Sequence, residues 1–535
     1  MGIFLGFSIA PDRIAPYEWG KAYEQALVIA DKCNLMDKVI TQRNGVRYAF
    51  ARKTAERELR SGELGFLVCG TMSSGYNMEE FVLYRELDQN FPQNRGKDNN
   101  MDILLNDCQN SVDGLPSNPG IYYLWGGKTQ GREGHLPLLA IACLLADRFP
   151  DAISVNGDVT VGQCKIAQEI VKDCLGLDIQ LPVRCQAGTL AQRMGKVEIP
   201  CEKQLSCFFE LYLGSLTEDI GRTLQNVFSK ESVYDYFRGE FVEAHKMYQN
   251  YRTLFRDYFL LNFSFADLLK ILVSDEKGCK MSLEVALKLL FSYNIHIPFS
   301  DKNCVDVLQS NQVSGDQDAV PSMEGFLGRA LLSVVTGRNK NIPVYIPLEK
   351  IREDALLLDP DANNIIDRIL DEQKTDERQE MVFGTGEDSL MSLMMKKAEQ
   401  IDEGKTEEGE YDISTLEDLF HYNTGCSFSP RLEKAILDAL RKMQAFDIET
   451  DYEAFLKADR IGREDWFLRH NRYVLFPETL WEHIFEHIME DEYIRRYYLV
   501  FCVDCSSQRT QELIESLMSS VELFNLLWGK AQCSS

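Results

Sequence analysis

Apolar side chains at Tyr23, Leu27 and Ala30, spaced by four and three, predict a helix over Tyr17 to Cys33. Around it the pattern mixes elements: strands at Ile3 to Ile9, Val46 to Ala51 and Gly65 to Gly70, a helix near Met78 to Leu87, and a loop over Gln89 to Asn100. Between 120 and 183 the periods alternate. A strand over Ile121 to Trp125 precedes a helix over His135 to Arg148. A strand over Ala152 to Val155 then precedes a helix over Val161 to Cys174, with a last strand at Ile179 to Val183. Such alternation reads as a βαβαβ unit. Asn156-Gly157 is also a two-residue hairpin signal, but Ile166, Ile170, Val171 and Cys174 follow at helical spacing and favour the strand–helix reading.

Helical patterning dominates from 201 to about 340, with amphipathic runs over Val233 to Phe259 and Leu283 to Tyr293. It returns from Leu416, notably at Arg431 to Met443, Glu478 to about Val500, and Gln508 to Leu527. In between, residues 349 to 418 hold 22 acidic against 8 basic side chains, and Glu399 to Asp412 has the composition of a solvated linker. The fold class expected is a multidomain α+β chain with an N-terminal mixed α/β half and a mostly helical C-terminal half. Its parts are a mixed α/β region (1–115), a βαβ-type region (116–200), a helical module (201–345), an acidic linker region (346–413) and a C-terminal helical domain (414–535).

The 535 residues are enough for several cores, and 45% hydrophobic with 26% charged residues is ordinary for a globular chain. The net charge of −26 opposes nucleic-acid backbones and anionic membranes. The apolar run Leu136 to Ala146 falls well short of a bilayer span. Met1 to Ala10 carries no basic region or cleavage site, and Gly6 stands where a myristoylation signal wants Ser or Thr. Fifteen scattered cysteines read as reduced thiols of a cytoplasmic protein.

Four constellations could carry chemistry. The segment Gly126 to His135 joins a predicted strand to a predicted helix, where ligands of open sheets bind and helix amides face anions. Lys128, Thr129, Arg132 and His135, with Asp158 at the end of the next strand, would serve a phosphate-bearing ligand. A nucleotide-type phosphate loop is excluded because its first glycine would be Tyr122. The same residues also suit a glycine-rich turn with solvated charges and Asp158 as a helix cap.

His483, Glu486 and His487 match the H-x-x-E-H pattern of inverted zinc proteases, which needs a further acidic ligand from a later helix. Leu480, Ile484 and Ile488 beside them form the stripe of a packing helix. Cys502 and Cys505 form a lone C-x-x-C. One helix over 478 to 502 would hold His487 and Cys502 about 22 Å apart, too far for a shared zinc. The basic run Arg43, Arg47, Arg52, Lys53, Arg57 and Arg60, interleaved with Tyr48 and Phe50, could face RNA phosphates. Glu56 and Glu58 dilute it into a solvated face.

No Ser-His-Asp order or G-x-S-x-G elbow accompanies these. The expectation is therefore a cytoplasmic, non-enzymatic interaction or regulatory protein that takes another protein, one of basic character, as its partner. The alternatives are an enzyme or sensor for a phosphate-bearing small molecule at Gly126 to His135, and a zinc hydrolase through His483, Glu486 and His487. No cofactor is expected, and neither a membrane nor a nucleic-acid partner.

Overall fold

The computed structural model describes residues 3–72, 77–92, 94–129, 131–247, 251–298, 342, 344–383, 448–470, 475–491, 493, 494, 497 and 498. The acidic stretch Glu399 to Asp412, the helices expected over Arg431 to Met443 and Gln508 to Leu527, and Cys502 with Cys505 lie outside the described residues.

The N-terminal half is α+β. Its strands are β1 (Phe4–Ile9), β2 (Leu35–Arg43), β3 (Val46–Lys53), β4 (Arg57–Arg60), β5 (Glu63–Val68), β6 (Gly70–Thr71), β7 (Phe81–Tyr84), β8 (Tyr122–Lys128) and β9 (Ile153–Gly157). They form three antiparallel sheets, ordered β8-β1-β9, β3-β2-β6 and β4-β5-β7. Helices α1 (Pro16–Lys32), α2 (Leu104–Cys108), α3 (His135–Arg148) and α4 (Val161–Leu175) accompany them.

Strands β8 and β9 run parallel to each other, as the alternating pattern predicts, but β1 lies between them and is antiparallel to both. The αβ alternation is therefore a split unit, with sequence-remote β1 as the central strand. Leu5, Phe7 and Ile9 of β1 enter a core with Trp19 and Tyr23 of α1 and the almost wholly apolar α3. Gly6 and Ser8 face the other way, toward α2 and the helical layer.

Three local expectations are corrected. Met78 to Leu87 is not a helix: Phe81–Tyr84 pairs with β5, and the carbonyls of Val82 and Tyr84 accept the indole N–H groups of Trp125 and Trp19. The strand expected at Ile179 to Val183 does not form. Pro182 has no N–H to give a ladder, the Ile179 carbonyl accepts from Gln168, and the Gln180 amide donates to Asp147. The helix expected from Glu478 to about Val500 breaks after Glu486: His487 to Glu490 are not helical, and helical backbone returns at Asp491, Tyr493, Ile494, Tyr497 and Tyr498.

The helical layer comprises α5 (Ala187–Met194), α6 (Cys201–Leu211), α7 (Glu218–Phe228), α8 (Lys230–Lys246), α9 (Arg252–Leu260), α10 (Phe265–Leu269) and α11 (Leu283–Phe291). Two more helices, α12 (Leu348–Leu356) and α13 (Ala362–Phe383), fall within the segment expected as an acidic linker. Ile351, Ala355, Ala362, Ile366 and Ile369 carry them into the same core, while Glu349, Glu353, Asp367 and Asp371 stay outside. Leu104, Leu105 and Cys108 of α2 also belong to this core, so α2 is the point where the sheet half and the helical layer meet.

The C-terminal helices are α14 (Ile448–Lys457), α15 (Arg460–His470) and α16 (Glu478–Glu486). They return to the tip of the β2–β3 hairpin, where Arg43 forms a two-pronged pair with Glu464 at 3.0 and 3.1 Å and Asn44 adds a bond of 2.8 Å. Tyr48 packs edge-on against Trp481 and Phe485, and the Ala51 amide donates to the Phe476 carbonyl.

Candidate functional site

Strands β1 and β9 place Ser8 and Ser154 directly opposite each other on the face turned toward α2. A buried serine pair flanked by Phe7, Ile9, Ile153 and Val155 has to find acceptors. It finds them on Asp107 of α2: Ser8 Oγ donates to Oδ1 at 2.8 Å and Ser154 Oγ to Oδ2 at 2.6 Å. Asn156 Nδ2 also donates to Oδ1 at 3.1 Å. Burial pushes the Asp107 carboxyl up, and the bonds from Ser154, Ser8 and Asn156, with the charge of Arg184, pull it back only part of the way.

This group borders an open cleft of about 350 Å³ lined by Gly6, Asp107, Tyr123, Asn156, Arg184 and Glu210 among others. Gly6 stands across from Gly126 on one side and Asn156 on the other, so part of the cleft floor is bare backbone. A Cβ on Gly6 would lie 2.3 Å from the Trp125 carbonyl oxygen. Arg184 is held at the wall, its Nε donating to the Leu211 carbonyl at 2.9 Å and its Nη1 to the Val155 carbonyl at 3.1 Å. Glu210 accepts from Ser111, and Tyr123 is 56% exposed. Burial raises the Tyr123 phenol, and the Asp107 charge raises it further.

The residues expected to bind phosphate occupy other positions. Lys128 ends β8 instead of lying in a loop, its ammonium 5.4 Å from the centre of the Phe4 ring. Thr129 and His135 are fully buried and bonded to each other, Oγ1 to Nδ1 at 2.7 Å. Burial lowers the His135 imidazole pKa, with Gln163 and Asp158 opposing it. Arg132 turns away to the Asn77 carbonyl at 2.5 Å, and Asp158 accepts from the Phe4 amide at 2.9 Å. Thr129, His135 and Asp158 thus gather around Ile3 and Phe4, and Arg132 does not join them.

In the basic run, Arg57 forms a two-pronged pair with the fully buried Asp37 at 2.6 and 2.9 Å, Arg43 pairs with Glu464, and Lys53 pairs with Asp31. His483, Glu486 and His487 do come together, one donor atom of each lying within 4.8 Å of the others.

Among the described residues, no helix is long and apolar enough to cross a membrane. Comparison with known protein families, curated proteins and solved structures gave no match.

Proposed function

We propose that the protein works by binding, and that its target is a basic protein partner whose lysine side chain enters the cleft at Asp107. One observation carries this reading: a carboxylate is kept at the cleft against the cost of burial, held in place by Ser8, Ser154 and Asn156. Glu210 adds a second acidic side chain and Arg184 a single guanidinium, so acidic groups outnumber basic ones in the lining by two to one. The ring of Tyr123 supplies an aromatic wall of the kind that ammonium groups favour. A cleft of about 350 Å³ admits a lysine stem, and the chain's charge of −26 draws basic partners toward it.

The test is titration calorimetry of the full chain with a lysine-bearing peptide, its Nε-acetylated form and a panel of sugar phosphates. The reading expects the free lysine peptide to bind, acetylation to abolish binding, and Asp107→Asn to weaken it about 10- to 100-fold, as for the loss of one charge-assisted hydrogen bond. A response to sugar phosphates that disappears in Lys128→Ala would instead place the site around Phe4 and end this reading.

A further inference from the structure

A different part of the molecule carries a second site. The end of α16 presents His483, Glu486 and His487, whose donor atoms lie within 4.8 Å of one another. We propose that these three side chains bind a zinc ion, with water as its fourth ligand.

The donor set selects the metal. Two imidazoles with one carboxylate suit a borderline transition ion and not calcium or magnesium, which take oxygen donors. A tetrahedral zinc with ligands at about 2.0 to 2.1 Å holds its donor atoms roughly 3.4 Å apart. His483 and Glu486 are exposed and His487 is partly so, so small side-chain rotations close the remaining gap without disturbing the core.

Two further observations point to an ion. The first is the partner of His487. Its Nδ1 meets Glu490 Oε1 at 2.8 Å, leaving Nε2 for a metal, the carboxylate–histidine arrangement that orients ligating imidazoles. The second is the aromatic backing. Tyr493 packs against both imidazoles, with ring centres 5.2 Å from His483 and 4.9 Å from His487, and the two imidazole centres are 4.5 Å apart.

The helix supplies its own field. His487 is the C-cap of α16, and the negative end of the helix dipole favours a cation there. The opposite side of α16 is fixed by Trp481 and Phe485 against Tyr48, so the ligand face stays outward. Glu486 differs from the general base of an H-x-x-E-H protease, since its carboxylate is itself one of the three converging donors. An ion here joins the last turn of α16 to its C-cap residue His487.

The experiment is titration of the full-length chain with cobalt(II), as a coloured substitute for zinc, and with zinc alone, after chelator and reductant treatment. The expected result is one ion per chain with the weak visible bands of nitrogen and oxygen ligation and no thiolate-to-cobalt charge-transfer band. His483→Ala and His487→Ala should each abolish that ion while leaving the far-UV spectrum unchanged. Glu490→Gln should weaken it about 10- to 100-fold. A bound ion that survives the His483→Ala/His487→Ala double substitution, a thiolate band, or no stoichiometric cobalt or zinc binding would each overturn the proposal.

Discussion

Asp107 shows how a single side chain sets a pH dependence. Its carboxyl is raised in the folded state, so the native chain holds the proton where the unfolded chain has lost it. Stability from this group is complete below the ordinary carboxyl range and is lost as pH rises through its raised value. Asp107→Asn, which cannot ionise, should therefore gain in melting temperature relative to wild type across that window while losing lysine-peptide binding. A wild type that gains on the variant as pH rises would refute the assignment. At Gly6, an added methyl meets the Trp125 carbonyl oxygen at 2.3 Å. Gly6→Ala should thus cost about 1 to 3 kcal/mol in denaturant unfolding through overpacking. The site itself was not legible in the sequence. Ser8 and Ser154 alternate with the core-facing Phe7, Ile9, Ile153 and Val155, so they read as the solvated side of their strands until α2 covers them. Nor did Asp107 stand out, because α2 is only five residues long, too short to leave a helical period, and its position is set by tertiary packing.

Among the elements, the two Asn-Gly pairs show what local signals can decide. At Asn44-Gly45 both residues have positive φ, 49° and 80°, as a two-residue hairpin turn joining β2 to β3 requires. At Asn156-Gly157 only the glycine does, at 103°. The chain there runs into Thr160, which forms a capping box with Gln163 and starts α4. A cap three residues downstream outweighs the turn dipeptide, which is why the strand–helix reading holds at 157. The same dipeptide at Asn44-Gly45 does turn the chain, a hairpin absent from the sequence expectations, and its tip is where Glu464 docks. Burial pushes the Glu464 carboxyl up, but bonds from Arg43, Asn44 and Arg460 outweigh that and hold it below the usual range. Its stabilising effect is present above the ordinary carboxyl range and is lost as pH falls through the depressed value. Arg43→Ala should remove about 1.5 to 3 kcal/mol of docking. Hydrogen-exchange protection of α15 and α16, taken relative to intrinsic rates, would then fall at neutral pH as it does in wild type only in acid; unchanged protection would show that the aromatic contacts of Tyr48 suffice.

At the scale of the molecule, the proposed lysine binding would use the acidic excess for encounter more than for grip. If a lysine-bearing partner is drawn in by the field of the whole chain, its association rate should fall steeply between low and physiological salt while its dissociation rate scarcely changes. Stopped-flow measurements across ionic strength separate the two, and a salt effect confined to dissociation would mean that only the cleft charges matter. The division into a sheet half and a helical layer follows from strand and helix periods. The central place of β1 does not, since pairing with β8 and β9 joins segments more than a hundred residues apart. A still longer reach, from the β2–β3 hairpin to the C-terminal helices, has a consequence during synthesis. Glu464 follows Arg43 by 421 residues, which a ribosome adding about 5 to 20 residues per second covers in roughly 20 to 80 s. For that interval the outer edge of β3, with Tyr48 and the Ala51 amide, waits uncovered as a template for stray strands. The newborn chain thus passes through a window in which crowding by its own copies, or shelter by a chaperone, decides whether the edge meets its intended cover.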